Sequence, residues 1–392
     1  MNAEPREIYM DYAASTPVTA AVVEAMLPYF SEIYGNPSSL HRQGRGAARA
    51  VDQSRQTIAQ LLNCRPNEVV FTSCGTEASN LALRGVALAQ RARGQGSHLV
   101  VSAVEHKAVL QTAHDLVDHY GFTLTEVPVD SFGIVAPADV MAAIRPDTVV
   151  VSVMYANNEV GSIQPLAEIG AQLQAAGIPF HTDAVQAGGA LSLDVDDLRV
   201  DMLSLSAHKF YGPKGIGLLY VRHGTPLWPQ ITGGSHEHQR RAGTENVPYL
   251  VGMARALEIA QMSRVTTTGH LSILRDRLIN RLLREIPGLR LTGHRTHRLP
   301  NHASFLIEGV EVQGILMGLD MAGIAASSGS ACTSAAQEPS HVLSAMGVSA
   351  RDAAGHLRLT LGHSNTDEDI EVVAETLVPL VAKLRRMAEI YA

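Results

Sequence analysis

The sequence predicts an α/β fold: a mostly parallel sheet with helices on both faces, followed by a second, smaller set of strands and helices. Three observations predict it. Between residues 98 and 206, apolar runs of strand length alternate with stretches whose apolar positions recur at helical spacing, and the runs are apolar throughout, as strands buried on both faces are. Polar and ionisable residues follow one run after another, where an open α/β sheet gathers its ligands. The 392 residues exceed one ordinary core and suggest about two domains.

In chain order, residues 11–17 read as extended and lead into a helix beginning near Val18. After the loop at 35–39, a polar, Ala-rich helix runs from about Gly44 to Leu62. Val69–Thr72 is a short strand, and Ser73-Cys74-Gly75 lead into a helix from Thr76 with Ala78, Leu81, Ala82, Val86 and Ala89 on one face. The free N–H groups at such a helix start suit an anion, although an ordinary capped helix would read the same way. Strands follow at His98–Ala103, Leu124–Val127, Thr148–Met154, Ile178–Thr182 and Met202–Ser206; helices lie at Val109–Tyr120, Pro137–Ile144 and Pro165–Ala176. Beyond about residue 255 the character changes. An amphipathic stretch, Leu271–Ile286, leads to elements around Ala303–Ile307, Val312–Met321 and His356–Leu361. The last helix opens on Thr366-Asp367-Glu368-Asp369, a capping box, and Pro379 should kink it.

Composition excludes several functions. With 46% hydrophobic and 18% charged residues the chain is globular, and no apolar run approaches the roughly 18 residues of a membrane span. The net charge of −7 argues against nucleic acid as the main partner. The first sixteen residues mix both charges without an apolar core segment, so a cytoplasmic location is expected. Cys64, Cys74 and Cys332 are too far apart for a disulfide framework. Cys64 reads as buried and inert, and Cys74 as packing beside the anion turn. Cys332 sits in a run of small, mostly polar residues, 327–336, with little to bury it.

The candidate chemistry gathers at the strand ends. Lys209 follows Ser206-Ala207-His208 where an apolar run breaks into a Gly-rich turn, so it is either a surface turn lysine or a Schiff-base amine freed by desolvation. His106, Asn157, Asp183 and Gln186 follow other strands, and each alone could be a cap or turn residue. His236 and His238 lack a third metal ligand at suitable spacing, so no metal is expected.

Taken together, FTSCGTEASN, VEHKAV, ANNEVG, HTDAVQ, SAHKFYGPKG, RAGTEN and SSGSACTS give the chain a resemblance to the pyridoxal-phosphate-dependent cysteine desulfurases of the NifS/IscS type, over nearly its whole length. That resemblance implies the aspartate-aminotransferase fold. A large domain, residues 15–255, would carry a mostly parallel seven-stranded sheet, and residues 1–14 and 256–392 would form a smaller α+β domain with the cysteine loop. It also implies roles. Lys209 would hold pyridoxal 5'-phosphate and move the substrate's α-proton, Asp183 would pair with the ring nitrogen, and His106 would stack on the ring. Gln186 and Asn157 would bond near the phenolic oxygen, and Asn157 would also border the substrate. Gly75, Thr76, Ser206 and His208 would cradle the phosphate, with Thr244 from the neighbouring subunit of a homodimer. Arg358 would clamp the carboxylate of L-cysteine, and Cys332 would take its sulfur as a persulfide for an acceptor or iron-sulfur scaffold protein. The ending at Ala392 leads to the expectation of a short scaffold-docking tail, and His363 stands where the family often has Arg. A selenocysteine lyase or other transaminase-like enzyme of this fold, and a non-catalytic sulfur-relay scaffold, are the alternatives.

Overall fold

The computed structural model describes residues 7–329 and 340–391. Its strands are β1 (Ile8–Tyr9), β2 (Val69–Thr72), β3 (His98–Ser102), β4 (Thr123–Val127), β5 (Thr148–Ser152), β6 (Phe180–Asp183), β7 (Met202–Ser206), β8 (Gly217–Val221), β9 (Leu289–Leu291), β10 (His302–Ile307), β11 (Ile324–Ala325) and β12 (His356–Thr360). Seven of them form one sheet in the order β2-β8-β7-β6-β5-β3-β4. All run parallel except β8, which pairs antiparallel with both neighbours. Strands β3, β5, β7 and β8 are buried at every residue, which is why their sequences do not alternate.

Strands β3 and β4 differ from their sequence-predicted limits by one residue, and β5 and β6 by two. The helix before β6 closes on Gly177 (φ 69°), and the Ile178 N–H donates to the Leu173 carbonyl, so Ile178 finishes the helix instead of starting the strand. β5 stops at Ser152, and the Met154 N–H goes to the side chain of Glu105.

One side of the sheet is covered by the amphipathic helix Arg42–Leu62, packed on Val247–Met262. Helices Gly75–Ala92 and Lys107–Tyr120 pack on the other through Leu81, Val86, Val109 and Leu116. A separate core gathers Met10, Leu278, Phe305, Ile315, Leu357 and Leu377. It lies between the antiparallel sheet β12-β10-β9, the parallel pair β1-β11 and the helices Arg264–Glu285, Val312–Met321 and Asp367–Tyr391. The last helix opens with the predicted capping box: Thr366 N–H donates to Asp369 Oδ2 and Asp369 N–H to Thr366 Oγ1. The N-terminal segment ties the two layers together, since Thr360 N–H donates to the Met10 carbonyl and Thr16 N–H to that of His208.

One anchor is expensive to break. Glu237, His238 and Gln239 all have positive φ (48°, 56° and 64°), a conformation that costs non-glycine residues about 1–2 kcal/mol each. They are held by the Glu237 carboxylate, which accepts from Arg55 Nη1 and Nη2, both at 2.8 Å, and from Phe71 N–H at 3.0 Å. Arg55→Ala would leave this buried carboxylate unpaired, so urea denaturation should show a loss of about 3 kcal/mol or more.

Candidate active site

A cavity of about 660 Å³ opens at the C-terminal edge of the large sheet, next to β12. The strand ends bring Gly75, Thr76, His106, Asp183, Gln186, Ser206, His208, Lys209 and Arg358 to its wall, and Cys74 lines it beside Gly75.

Lys209 closes the 3₁₀ turn Ala207–Lys209 directly after β7. Its Nζ donates to the carbonyls of Ala13 at 2.6 Å and Ala14 at 2.8 Å, and Gln186 Nε2 donates to the same Ala13 carbonyl at 3.0 Å. Asp183 ends β6 with one carboxylate oxygen accepting from Val185 N–H. Burial pushes its pKa up, against the opposing pull of His106 and Lys209. His106 caps the helix Lys107–Tyr120, its Nδ1 accepting from Ala108 N–H at 3.1 Å. That bond fixes the ring at the cavity edge. His106 is therefore cap and site residue at once, and Asp183 is held by a local turn; in each a main-chain N–H two residues on orients the side chain.

On the opposite wall the helix Gly75–Ala92 points its start at Ser206 and His208. A Cβ on Gly75 would lie 2.8 Å from Val185 Cγ2 and 3.3 Å from Ser206 Cβ, so only glycine lets this turn approach so closely. Cys74 caps the helix through its sulfur, which accepts from Glu77 N–H. Burial first, then Lys209 and Lys214, push His208 down to about 4, leaving it neutral in the physiological range.

Arg358, on β12, is buried beside them. Its Nη2 pairs with Asp11 Oδ1 at 2.8 Å, and its Nη1 donates to the carbonyls of Asn158 at 2.9 Å and Gly329 at 3.1 Å. Its buried Nε has no partner among the described residues.

Asn157 and Thr244 stand apart. Asn157 is fully buried, its amide donating to the Val104 carbonyl and accepting from the N–H groups of Glu159 and Val160, so it shapes the turn behind the cavity wall. Thr244 lines a separate cavity of about 160 Å³ with Ser73 and Arg241. Cys332 lies outside the described residues. On either side of it, Gly329 and Ser340 both line the main cavity. His356 Nδ1 donates to the Ser328 carbonyl, and Ser340 Oγ to Glu159 Oε2. Sequence reasoning assigned no role to Glu105, Glu159, Asp11 and His341; the signals were that Glu105 and Glu159 sit inside VEHKAV and ANNEVG, and Asp11 inside YMDYAA, where the resemblance begins. His363, where Arg is common, stacks on Tyr211 with ring centroids 3.9 Å apart.

Comparison with known proteins agrees with this geometry. A family model of the class-V aminotransferases matches residues 8–373. A curated cysteine desulfurase IscS of Methanosarcina thermophila is 47% identical over 388 residues, covering 99% of this chain and 95% of the relative. One from Dictyoglomus turgidum is 45% identical over 383 residues, covering 98% and 96%. Among solved structures, a NifS-like protein superposes with a TM-score of 0.90 at 36% identity, covering 97% of this chain and all of the other. SspA in complex with cysteine superposes at 0.79 with 37% identity, covering 90% and 98%. The chain thus belongs to the class-V aminotransferase family, among its cysteine desulfurases of the NifS/IscS type.

Proposed function

We propose that the protein converts L-cysteine to L-alanine with pyridoxal 5'-phosphate and keeps the sulfur as a persulfide on Cys332 for delivery to an acceptor or iron-sulfur scaffold protein. The observation that carries the reading is the convergence of Lys209, buried Asp183, the Gly75 helix start and the Arg358 guanidinium on one cavity.

The residues fit the cofactor. Gly75 and Thr76 offer helix N–H groups to a phosphate, with Ser206 and neutral His208 as further hydrogen-bonding groups. Asp183 would pair with a ring nitrogen, and His106 would offer its ring as a flat face. When bound, the cofactor supplies an electron sink that labilises the substrate's α-proton. Lys209 holds the group and then receives that proton at Nζ. Arg358 takes the substrate carboxylate at its Nε edge while Asp11 keeps the guanidinium from turning. The Cys332 thiolate attacks the substrate sulfur: a sulfur–sulfur bond forms, the carbon–sulfur bond breaks, and the carbon skeleton takes up protons to leave as alanine.

The division into residues 15–255 against 1–14 with 256–392 is part of the proposal. It is supported by the two cores, the second of which holds Ile8 and Met10 from the N-terminal segment. A homodimer in which Thr244 reaches the neighbouring phosphate is supported by the Thr244 loop lying away from its own cavity. No helix among the described residues is long and apolar enough to cross a membrane.

The test is to supply the purified protein with pyridoxal phosphate, L-cysteine and a thiol reductant, and to measure alanine and sulfide. Equal amounts of both are expected; pyruvate, or alanine without sulfide, would refute the reading. Arg358→Lys should lower kcat/KM by on the order of 10²-fold, mainly through KM, since a single ammonium cannot keep the Asp11 and Gly329 bonds and also bind a carboxylate bidentately.

A further inference from the structure

Glu105 is a buried acid to which the reaction above assigns no part. Its side chain is completely excluded from solvent. Both donors that reach it arrive at one oxygen: Ser102 Oγ at 2.8 Å and Met154 N–H at 2.5 Å, both to Oε1. The second oxygen, Oε2, is buried without a partner among the described residues. With one oxygen accepting twice and the other bare, the neutral acid buries only an unpartnered hydroxyl, the cheaper of the two forms. An ionised carboxylate would leave a charged oxygen unsolvated.

We propose that Glu105 is a positioning residue that serves as a neutral carboxylic acid, tying the end of β5 to the turn that carries His106 while leaving Asp183 as the anion of the pair for the cofactor ring. The inference rests on the reading of Asp183 as the ring-nitrogen partner.

The surroundings agree. Burial lifts Glu105 to about 8, and the neighbouring Asp183 pushes it the same way against the Ser102 and Met154 hydrogen bonds. Asp183, at the end of β6, also feels His106 from the Glu105 turn and Lys209 from the end of β7. From the helix after Ser340, His341 donates through Nε2 to the Glu105 carbonyl oxygen at 2.9 Å. Burial favours the neutral form of both carboxyls, and only Asp183 is drawn back toward its charged form by His106 and Lys209. Ionising Glu105 would place a second negative charge near Asp183 and weaken the preference for Asp183 as the anion.

Glu105→Gln keeps a carbonyl oxygen for Ser102 and Met154 and can never ionise, so it is expected to fold and to work as wild type at pH 7. The first measurement needs no cofactor. Infrared difference spectra of the cofactor-free protein between pH 6.5 and 9.5 should show the loss of a protonated carboxyl band in wild type and not in Glu105→Gln. The second is the cofactor dissociation constant against pH. From pH 7 to 9.5 wild type should weaken on the order of tenfold more than Glu105→Gln, because groups common to both proteins cancel and about one unit of altered proton affinity corresponds to tenfold. An infrared difference that is the same in both proteins overturns the proposal, as do parallel affinity profiles. Failure of the wild-type protein to bind the cofactor at all, with the infrared result as expected, would instead count against the assignment of Asp183.

Discussion

Lys209→Ala should abolish alanine formation, lowering the rate by at least about 10³-fold, while leaving the protein folded. The chemistry requires an amine at this position to hold the cofactor and then to move a proton; Lys107 also lines the cavity, but from the start of the helix after β3 and not from the turn after β7. Lys214 is exposed beyond the turn, and the guanidinium of Arg358 is committed to Asp11. The fold should survive because the N-terminal segment that Lys209 holds through the Ala13 and Ala14 carbonyls has other ties. Thr16 Oγ1 and N–H both reach the His208 carbonyl, Tyr211 N–H donates to Thr16 Oγ1, and Ala13 N–H donates to Thr360 Oγ1. The check is a pair of measurements on one preparation. Thermal melting should shift by only a few degrees, and the visible absorbance that wild type gains with pyridoxal phosphate should be missing. Activity within tenfold of wild type would remove Lys209 from the mechanism.

Much of this was readable in the sequence because burial on both faces writes a plain signal. Val149, Val150 and Val151 in β5, or Leu203 and Leu205 in β7, sit in runs that only a covered parallel sheet explains. Direction was not readable. Gly217–Val221 has the same unbroken apolar run as its neighbours and yet β8 inserts antiparallel between β2 and β7, since a strand buried on both faces carries no mark of its polarity. In the site, residues whose main-chain neighbours fix them were legible, as with His106 and Asp183. Those fixed by distant partners were not. Asp11 meets Arg358 across 347 positions of sequence, and Glu105 looks like any surface acid until the fold buries it. The resemblance placed Asn157 against the cofactor, and in the structure its amide is taken up by Val104, Glu159 and Val160.

Cys332→Ser should stop desulfuration with the cofactor site intact, and so separate this protein from other enzymes of its fold. Lys209, Asp183, His106 and Arg358 together would serve a transaminase or lyase equally well. What distinguishes desulfuration is a nucleophile for the substrate sulfur. The described residues flanking Cys332 bear on that role. Gly329 takes a positive φ (82°), and a Cβ there would meet the His356 ring at 2.7 Å; its carbonyl accepts from the same Arg358 proposed to hold the substrate carboxylate. Cys332 is three residues further along, at most about 11 Å of extended chain. A thiol so tethered to the substrate clamp has a high effective concentration at the substrate sulfur, which free thiols in solution would need very high concentrations to match. A serine hydroxyl is nearly isosteric but is a far weaker nucleophile toward sulfur. The variant should therefore bind pyridoxal phosphate and L-cysteine with spectral changes and a dissociation constant close to wild type, while alanine production falls by at least about 10³-fold. Mass spectrometry after exposure to L-cysteine should find one added sulfur atom on the wild-type peptide containing Cys332 and none on the variant. Undiminished alanine formation by the variant would mean that a thiol other than Cys332, of the chain or of the solution, takes the sulfur, since elimination of sulfide would give pyruvate and not alanine.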